Sequence, residues 1–275
     1  MGEVELVALA AALFGILIGS FLNVCVHRMP RDLSVVQPRS FCPACEKPIA
    51  WYDNIPLLSY ALLGGKCRQC QSKIPLRYPL VELITGVLFA VAVLHFGVDP
   101  QAVKFSIFAA LIVGLVFMDF EERILADEMT LGGMVFGFGL SLFLPMPHFL
   151  AHFLFPAEWK ESHLSLLESL VGAIPPAVGL WLLGELYFRL RGREGLGLGD
   201  VKMIAMIGAF YGLQGAIVTL MIGSLLGSVL GLLFIFLSGK DAATYELPFG
   251  SFLGVGALLA PLVFIRTEGG LVVPW

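Results

Sequence analysis

Two aspartates and four cysteines are the residues here whose types and spacing could do chemistry. Asp200 closes the string Gly197-Leu-Gly-Asp200, where a basic, glycine-rich loop gives way to a long apolar run. Asp119 ends another apolar run, in Phe117-Met-Asp-Phe-Glu-Glu122. An ionisable residue at the border of a bilayer is costly to hold and is a functional candidate by default. Two carboxyl groups sharing one site do not both ionise easily, so such a pair holds a single proton. The charged member can activate a water while the protonated member supports a carbonyl oxygen. That is aspartic protease chemistry, and it needs neither a metal nor a covalent intermediate. The plainer reading of Asp200 is a helix N-cap, a position that favours aspartate.

The cysteines form two CxxC pairs, Cys42-Pro-Ala-Cys45 and Cys67-Arg-Gln-Cys70, with 21 residues between them. Each pair offers two thiolates from one tight turn, and four thiolates complete a tetrahedral zinc site. A closed site of that kind serves folding, since it leaves no open coordination position. Reduced thiols or a redox pair are the alternatives. Cys25 lies within an apolar run and reads as packing.

The elements that must position these groups are membrane helices. Mean hydropathy is +0.88 and 14% of residues are charged, against roughly 25% in soluble domains. No Lys or Arg precedes Arg28, and Glu3 and Glu5 stand where a signal peptide would be basic. The first helix is therefore expected to be retained and to begin outside. Apolar runs at 6–26, 79–96, 102–118, 130–145, 164–188, 201–211, 216–237 and 249–265 predict an all-α, polytopic membrane helical bundle of about eight transmembrane helices. The two runs after Asp200 are separated by a turn at Gly212-Leu-Gln-Gly215. Residues 146–163, with His148, His152 and His163, read as irregular, and Ser238 to Glu246 as a polar link. The organisation expected is a first helix (1–28), a cytoplasmic four-cysteine loop domain (29–77) and a seven-helix membrane core (78–275).

Charge placement fixes the orientation. With the N-terminus outside, fourteen of the seventeen Lys and Arg fall on the cytoplasmic side, as the positive-inside rule requires. Lys104, Lys160 and Arg266 fall opposite. Asp119 then ends a helix going inward and Asp200 begins one going outward, so both lie at the cytoplasmic border. Gly223, Gly227 and Gly231 form a small-xxx-small stripe suited to close helix packing within the bundle. Gly195-Leu-Gly-Leu-Gly199 lacks the preceding strand of a dinucleotide loop, and that match is rejected. No nucleic-acid partner is expected; membrane lipids are.

Motif order adds a family resemblance. Gly19-Ser-Phe-Leu-Asn-Val24, the paired CxxC loop, Tyr52-Asp-Asn-Ile-Pro-Leu-Leu-Ser-Tyr60 and Arg77-Tyr-Pro-Leu-Val-Glu82 resemble the bacterial type IV prepilin peptidases. So do Gly197-x-Gly-Asp200-Val-Lys202 and Leu247-Pro-Phe-Gly250, and the likeness runs from about residue 15 to 262. The resemblance implies an inner-membrane aspartic endopeptidase. It would cut the basic leader from type IV prepilins and type II secretion pseudopilins on the cytoplasmic side. It would then methylate the new N-terminal amine with S-adenosylmethionine, unless the chain is a peptidase only. Carried over by motif, the catalytic residues are Asp119 and Asp200 and the metal ligands Cys42, Cys45, Cys67 and Cys70. The residues binding the methyl donor are left unassigned, with the cysteine loop expected to help form that site. Where the family reads Pro-Asp after the first aspartate, this chain has Ala126-Asp127. Asp127 is the reserve catalytic candidate, with an N-cap as its plainer reading. Glu121, Glu122, Asp127 and Glu128 are placed to meet a basic leader. The competing class is a proton-coupled transporter, whose acids belong near the bilayer midplane.

Overall fold

A computed structural model describes residues 2–144, 150, 160–193, 195–238, 248–263, 266–267 and 270–271. His148, His152 and residues 239–246 of the polar link lie outside the described residues. The chain divides into two compact units, Met1–Met118 and Asp119–Trp275.

In the first unit α1 (Glu3–Arg28) packs along α3 (Arg77–Phe96). The buried residues of α1 include Ala8, Gly15, Gly19, Leu22 and Val26. Steps of three, four and seven place these on one helical stripe. Leu13, Phe14, Leu17 and Phe21 are exposed on the rest of the surface. A helix that is apolar all round belongs in lipid, where only internally hydrogen-bonded backbone is stable. Pro30 follows the last turn of α1, because its ring cannot sit in a helix interior. The loop that follows carries both cysteine pairs and a short helix, α2 (Leu58–Leu62). Gly97, with φ 77°, ends α3, and Pro100 opens α4 (Pro100–Glu122), where its missing N–H is not needed.

The second unit holds the last turn of α4, then α5 (Asp127–Phe143), α6 (Glu161–Arg191), α7 (Leu198–Ser238) and α8 (Phe249–Val263). α7 is central and packs against α5, α6 and α8. The Ser169 hydroxyl ties α6 to α7 by donating to the Ala209 carbonyl at 2.6 Å. The break expected within 212–215 is confined to Gly212, whose φ of 68° and ψ of −171° divide α7 in two without a loop. Gly223 of the small-residue stripe packs within the chain, against Leu253 of α8.

Among the described residues, five helices are long and apolar enough to cross a membrane: α1, α3, α4, α6 and α7. α5 and α8 are shorter, at 17 and 15 residues. Each of the eight expected apolar runs coincides with a helix over its described residues, give or take a residue or two at the ends and counting α7 as two segments. Most helix starts lie a few residues earlier than the apolar runs: α6 starts at Glu161 instead of 164 and runs unbroken through Pro175 and Pro176, and α7 starts at Leu198 instead of 201. The strands among the described residues are two of two residues each, Arg266–Thr267 paired with Gly270–Leu271.

Candidate functional site

Asp119 lies in the last turn of α4, and its carbonyl accepts from the Arg123 N–H at 3.0 Å. Asp200 is the third residue of α7, and its N–H donates to the Gly197 carbonyl. It is therefore not the N-cap of α7: the helix has already begun at Leu198, and the carboxyl group turns back to accept from the Gly197 amide. Asp119 and Asp200 are 7% and 9% exposed, unusual for carboxylates unless they are paired or hydrogen-bonded.

Gly250, in the first turn of α8, is where they meet. A Cβ built on Gly250 would stand 3.0 Å from Asp200 Oδ1 and 3.1 Å from Asp119 Oδ2. The two oxygens can then be no further apart than those two distances laid end to end. A water making two hydrogen bonds of ~2.8 Å covers a span of that order. Any residue but glycine would put its side chain between the acids. The next residue, Ser251, donates twice to Asp119 Oδ2, from its N–H at 2.6 Å and its hydroxyl at 2.8 Å. Both donors lie at the N-terminal end of α8, which favours negative charge.

Asp127 is also placed differently from a cap. Ala126 is the N-cap of α5 and Asp127 its first residue. Its two carboxylate oxygens take the Lys202 ammonium at 2.6 and 2.8 Å, so it pairs with the residue two places beyond Asp200. Glu121 and Glu128 are exposed, and Glu122 is half-buried.

The four cysteines form the second site. Their Sγ atoms lie within 4.8 Å of one another, and Cys42 Sγ is 3.8 Å from Cys70 Sγ. Tetrahedral zinc at ~2.3 Å from each sulfur puts the sulfurs ~3.8 Å apart, so the donor set fits a four-thiolate metal. The two turns repeat one design. Cys42 N–H donates to the Lys47 carbonyl and Cys67 N–H to that of Ser72. A left-handed residue closes each turn, Glu46 at φ 57° and Gln71 at φ 58°. Burial raises the Cys42 thiol, but the Cys45 and Ala44 amides and the Ser72 hydroxyl outweigh it and bring the thiol down to about 6. The loop is further tied by Arg68, whose guanidinium holds both oxygens of Asp53 at 2.7 to 3.1 Å.

The sequence reading named Gly250 but missed Ser251. The available signal was position: Ser251 follows Pro248-Phe-Gly250 at the start of a helix expected to leave the same border as that assigned to both aspartates.

These features define a multi-pass helical membrane protein with a buried aspartate pair and a four-cysteine centre able to hold a metal. Residues 13–96 match the bacterial peptidase A24 N-terminal domain, and residues 105–232 match the type IV leader peptidase family. The chain belongs to that family. Among its relatives are proteins named prepilin leader peptidase/N-methyltransferase. That of Myxococcus xanthus is 36% identical, over 84% of this chain and 64% of the relative. That of Neisseria gonorrhoeae is 34% identical, over 85% and 84%. That of Pseudomonas aeruginosa is 33% identical, over 92% and 89%. The chain thus spans less than two thirds of the Myxococcus relative and most of the other two. No solved structure matches it.

Proposed function

We propose that this protein cleaves the basic leader from type IV prepilins and type II secretion pseudopilins at the cytoplasmic face of the inner membrane, and then methylates the new N-terminal amine with S-adenosylmethionine. The observation that carries the peptidase half is the convergence of Asp119 and Asp200 on Gly250. Asp119, with two Ser251 donors on one oxygen, suits the charged member that activates a water. Asp200 suits the member that carries the proton to the scissile carbonyl oxygen. A pilin helix would approach sideways through lipid, with its basic leader beside Glu121, Glu122 and Glu128.

The methyltransferase half is supported by the relatives' names and by the N-terminal domain shared with that family. S-adenosylmethionine, when bound, would supply the methyl group to the lone pair of the neutral amine and leave as a neutral thioether, with the amine's extra proton passing to solvent. Zinc is the metal proposed for the cysteines, because four thiolates in a tetrahedral array select it. Its role there is to fix the loop.

The test is incubation of purified protein with a prepilin peptide and S-adenosylmethionine, followed by mass measurement of both products. Cleavage after the leader with one added methyl is expected. Cleavage without the methyl leaves a peptidase only. Asp119→Asn and Asp200→Asn should each abolish cleavage in a folded protein, and full processing by either removes that residue from the mechanism.

A further inference from the structure

The first unit contains a cavity of about 340 Å³ that the aspartate pair does not use. Its size is within the range of small-molecule sites. α1 lines it with Ser20, Asn23 and Val24, α3 with Tyr78 and Glu82, and the cysteine loop supplies the remaining wall, Ile55 and Tyr60 included.

Two polar groups in this wall lack the partner that burial calls for. Asn23 is 3% exposed; its Nδ2 donates to the Tyr78 carbonyl at 3.0 Å, but its Oδ1 is buried with no hydrogen-bond partner. An unpaired buried acceptor costs free energy until a donor reaches it. Glu82 is 7% exposed. Its Oε2 accepts from the Leu57 N–H at 2.8 Å and its carboxyl meets the Ser20 hydroxyl. Both partners are neutral, and no described cation pairs with it. A buried acid with hydrogen bonds but no counter-charge is suited to a positively charged guest. The wall also carries Arg28, which donates to the Ser34 and Pro38 carbonyls, Arg68, which pairs with Asp53, and Lys47 and Lys73 of the loop. The cavity therefore asks for a zwitterion: a positive charge opposite Glu82, a carboxylate for the loop lysines, an N–H donor, and a flat ring to lie against Tyr60 and Tyr78.

We infer that this cavity binds S-adenosylmethionine, with Glu82 opposite its positive charge and Asn23 Oδ1 accepting from one of its amino groups. The inference rests on the methyltransferase reading above and assigns that activity a site built from α1, α3 and the cysteine loop. The aspartate pair, in the second unit, is left to the peptidase. It also gives the metal-type centre a purpose, because the loop it shapes forms one wall of the cavity.

The experiment is equilibrium dialysis of radiolabelled S-adenosylmethionine against the full chain in detergent, alongside the methylation assay. Glu82→Gln keeps an acceptor for the Leu57 amide but removes the charge. It should weaken binding by about tenfold or more, the scale of one buried interaction with a charged group. Val24→Trp and Ile55→Trp fill the cavity from different elements, and each should abolish measurable binding. Circular dichroism and the melting temperature identify which variants remain folded. Folded Glu82→Gln and tryptophan variants that bind as the parent does would overturn the site, even if the parent methylates its product. A parent chain that neither binds the methyl donor nor methylates would overturn the methyltransferase reading, and this site with it.

Discussion

Ser251 donates both its backbone N–H and its hydroxyl to a single oxygen of Asp119, at 2.6 and 2.8 Å, across 132 residues of chain. The contact fixes the rotamer of the acid and places two donors on one of its oxygens. Removing the hydroxyl leaves the amide in place, so the loss should be partial. A hydrogen bond to a charged group is worth ~1.5–3 kcal/mol; toward the low end, Ser251→Ala should lower kcat by roughly tenfold. KM should stay nearly unchanged, since Ser251 acts through Asp119. Ser251→Thr should restore most of the rate. Steady-state kinetics on a prepilin peptide decide this, and parental kcat in Ser251→Ala would leave the hydroxyl without a role.

Gly250 should tolerate no side chain. An added Cβ would stand 3.1 Å from Asp119 Cγ as well as 3.0 Å from Asp200 Oδ1. Both are closer than carbon normally approaches such atoms, and the methyl group would occupy the space between the acids. Gly250→Ala is therefore expected to cost at least ~100-fold in kcat, as misplacing reacting groups by about an ångström does. The residue opens a helix, where alanine is a better helix former than glycine, so the melting temperature should not fall in step with activity. A variant that cleaves at the parental rate would show that the acids work from a more open arrangement.

Helices were legible in the sequence; neighbours were not. The apolar runs needed only composition, and the break at Gly212 needed only one glycine in a stretch too long for a single span. The aspartates could be assigned to one border because charge asymmetry sets the direction of each helix. The packing of α8 against them could not, because Ser251 meets Asp119 only through tertiary contact. The same limit hides buried charge. Lys104 was assigned to the outer side and Glu168 was not singled out, yet each is 1% exposed. Hydropathy counts a charge without knowing which side chains surround it. Asn23 and Glu82 stood in motif strings, but their shared cavity appears only once α1 lies on α3.

Asp127 separates the aspartate pair from a mere acidic neighbourhood. Its bond to Lys202 is short, but the two side chains are 56% and 33% exposed. Exposed ion pairs contribute about 0–1 kcal/mol. Asp127→Asn should therefore lower stability by less than ~1 kcal/mol and keep most of the cleavage activity, unlike Asp119→Asn. Because Lys202 follows Asp200 by two residues, a modest fall in kcat is compatible with slight movement of the first turn of α7. Complete loss of cleavage in a folded Asp127→Asn protein would make this residue a member of the catalytic pair.

Metal should be inseparable from the order of the cysteine loop. The four sulfurs already lie at the spacing a tetrahedral ion requires, and without an ion the thiolates repel one another. About one zinc per chain is expected by elemental analysis, and replacing any of Cys42, Cys45, Cys67 or Cys70 by serine should reduce that content sharply. Ligand sulfurs must be deprotonated, so protons compete with the metal. The sign follows: metal is held at neutral pH and lost as the medium becomes acidic. Chelation or acid should then open the loop to protease while α1 and α3, buried in each other and in lipid, keep their helicity. If the cavity depends on that loop, methyl transfer should fall before leader cleavage does, and this is measurable by following both products as a chelator is titrated. Cleavage and methylation declining together would instead mean that the metal supports the whole chain.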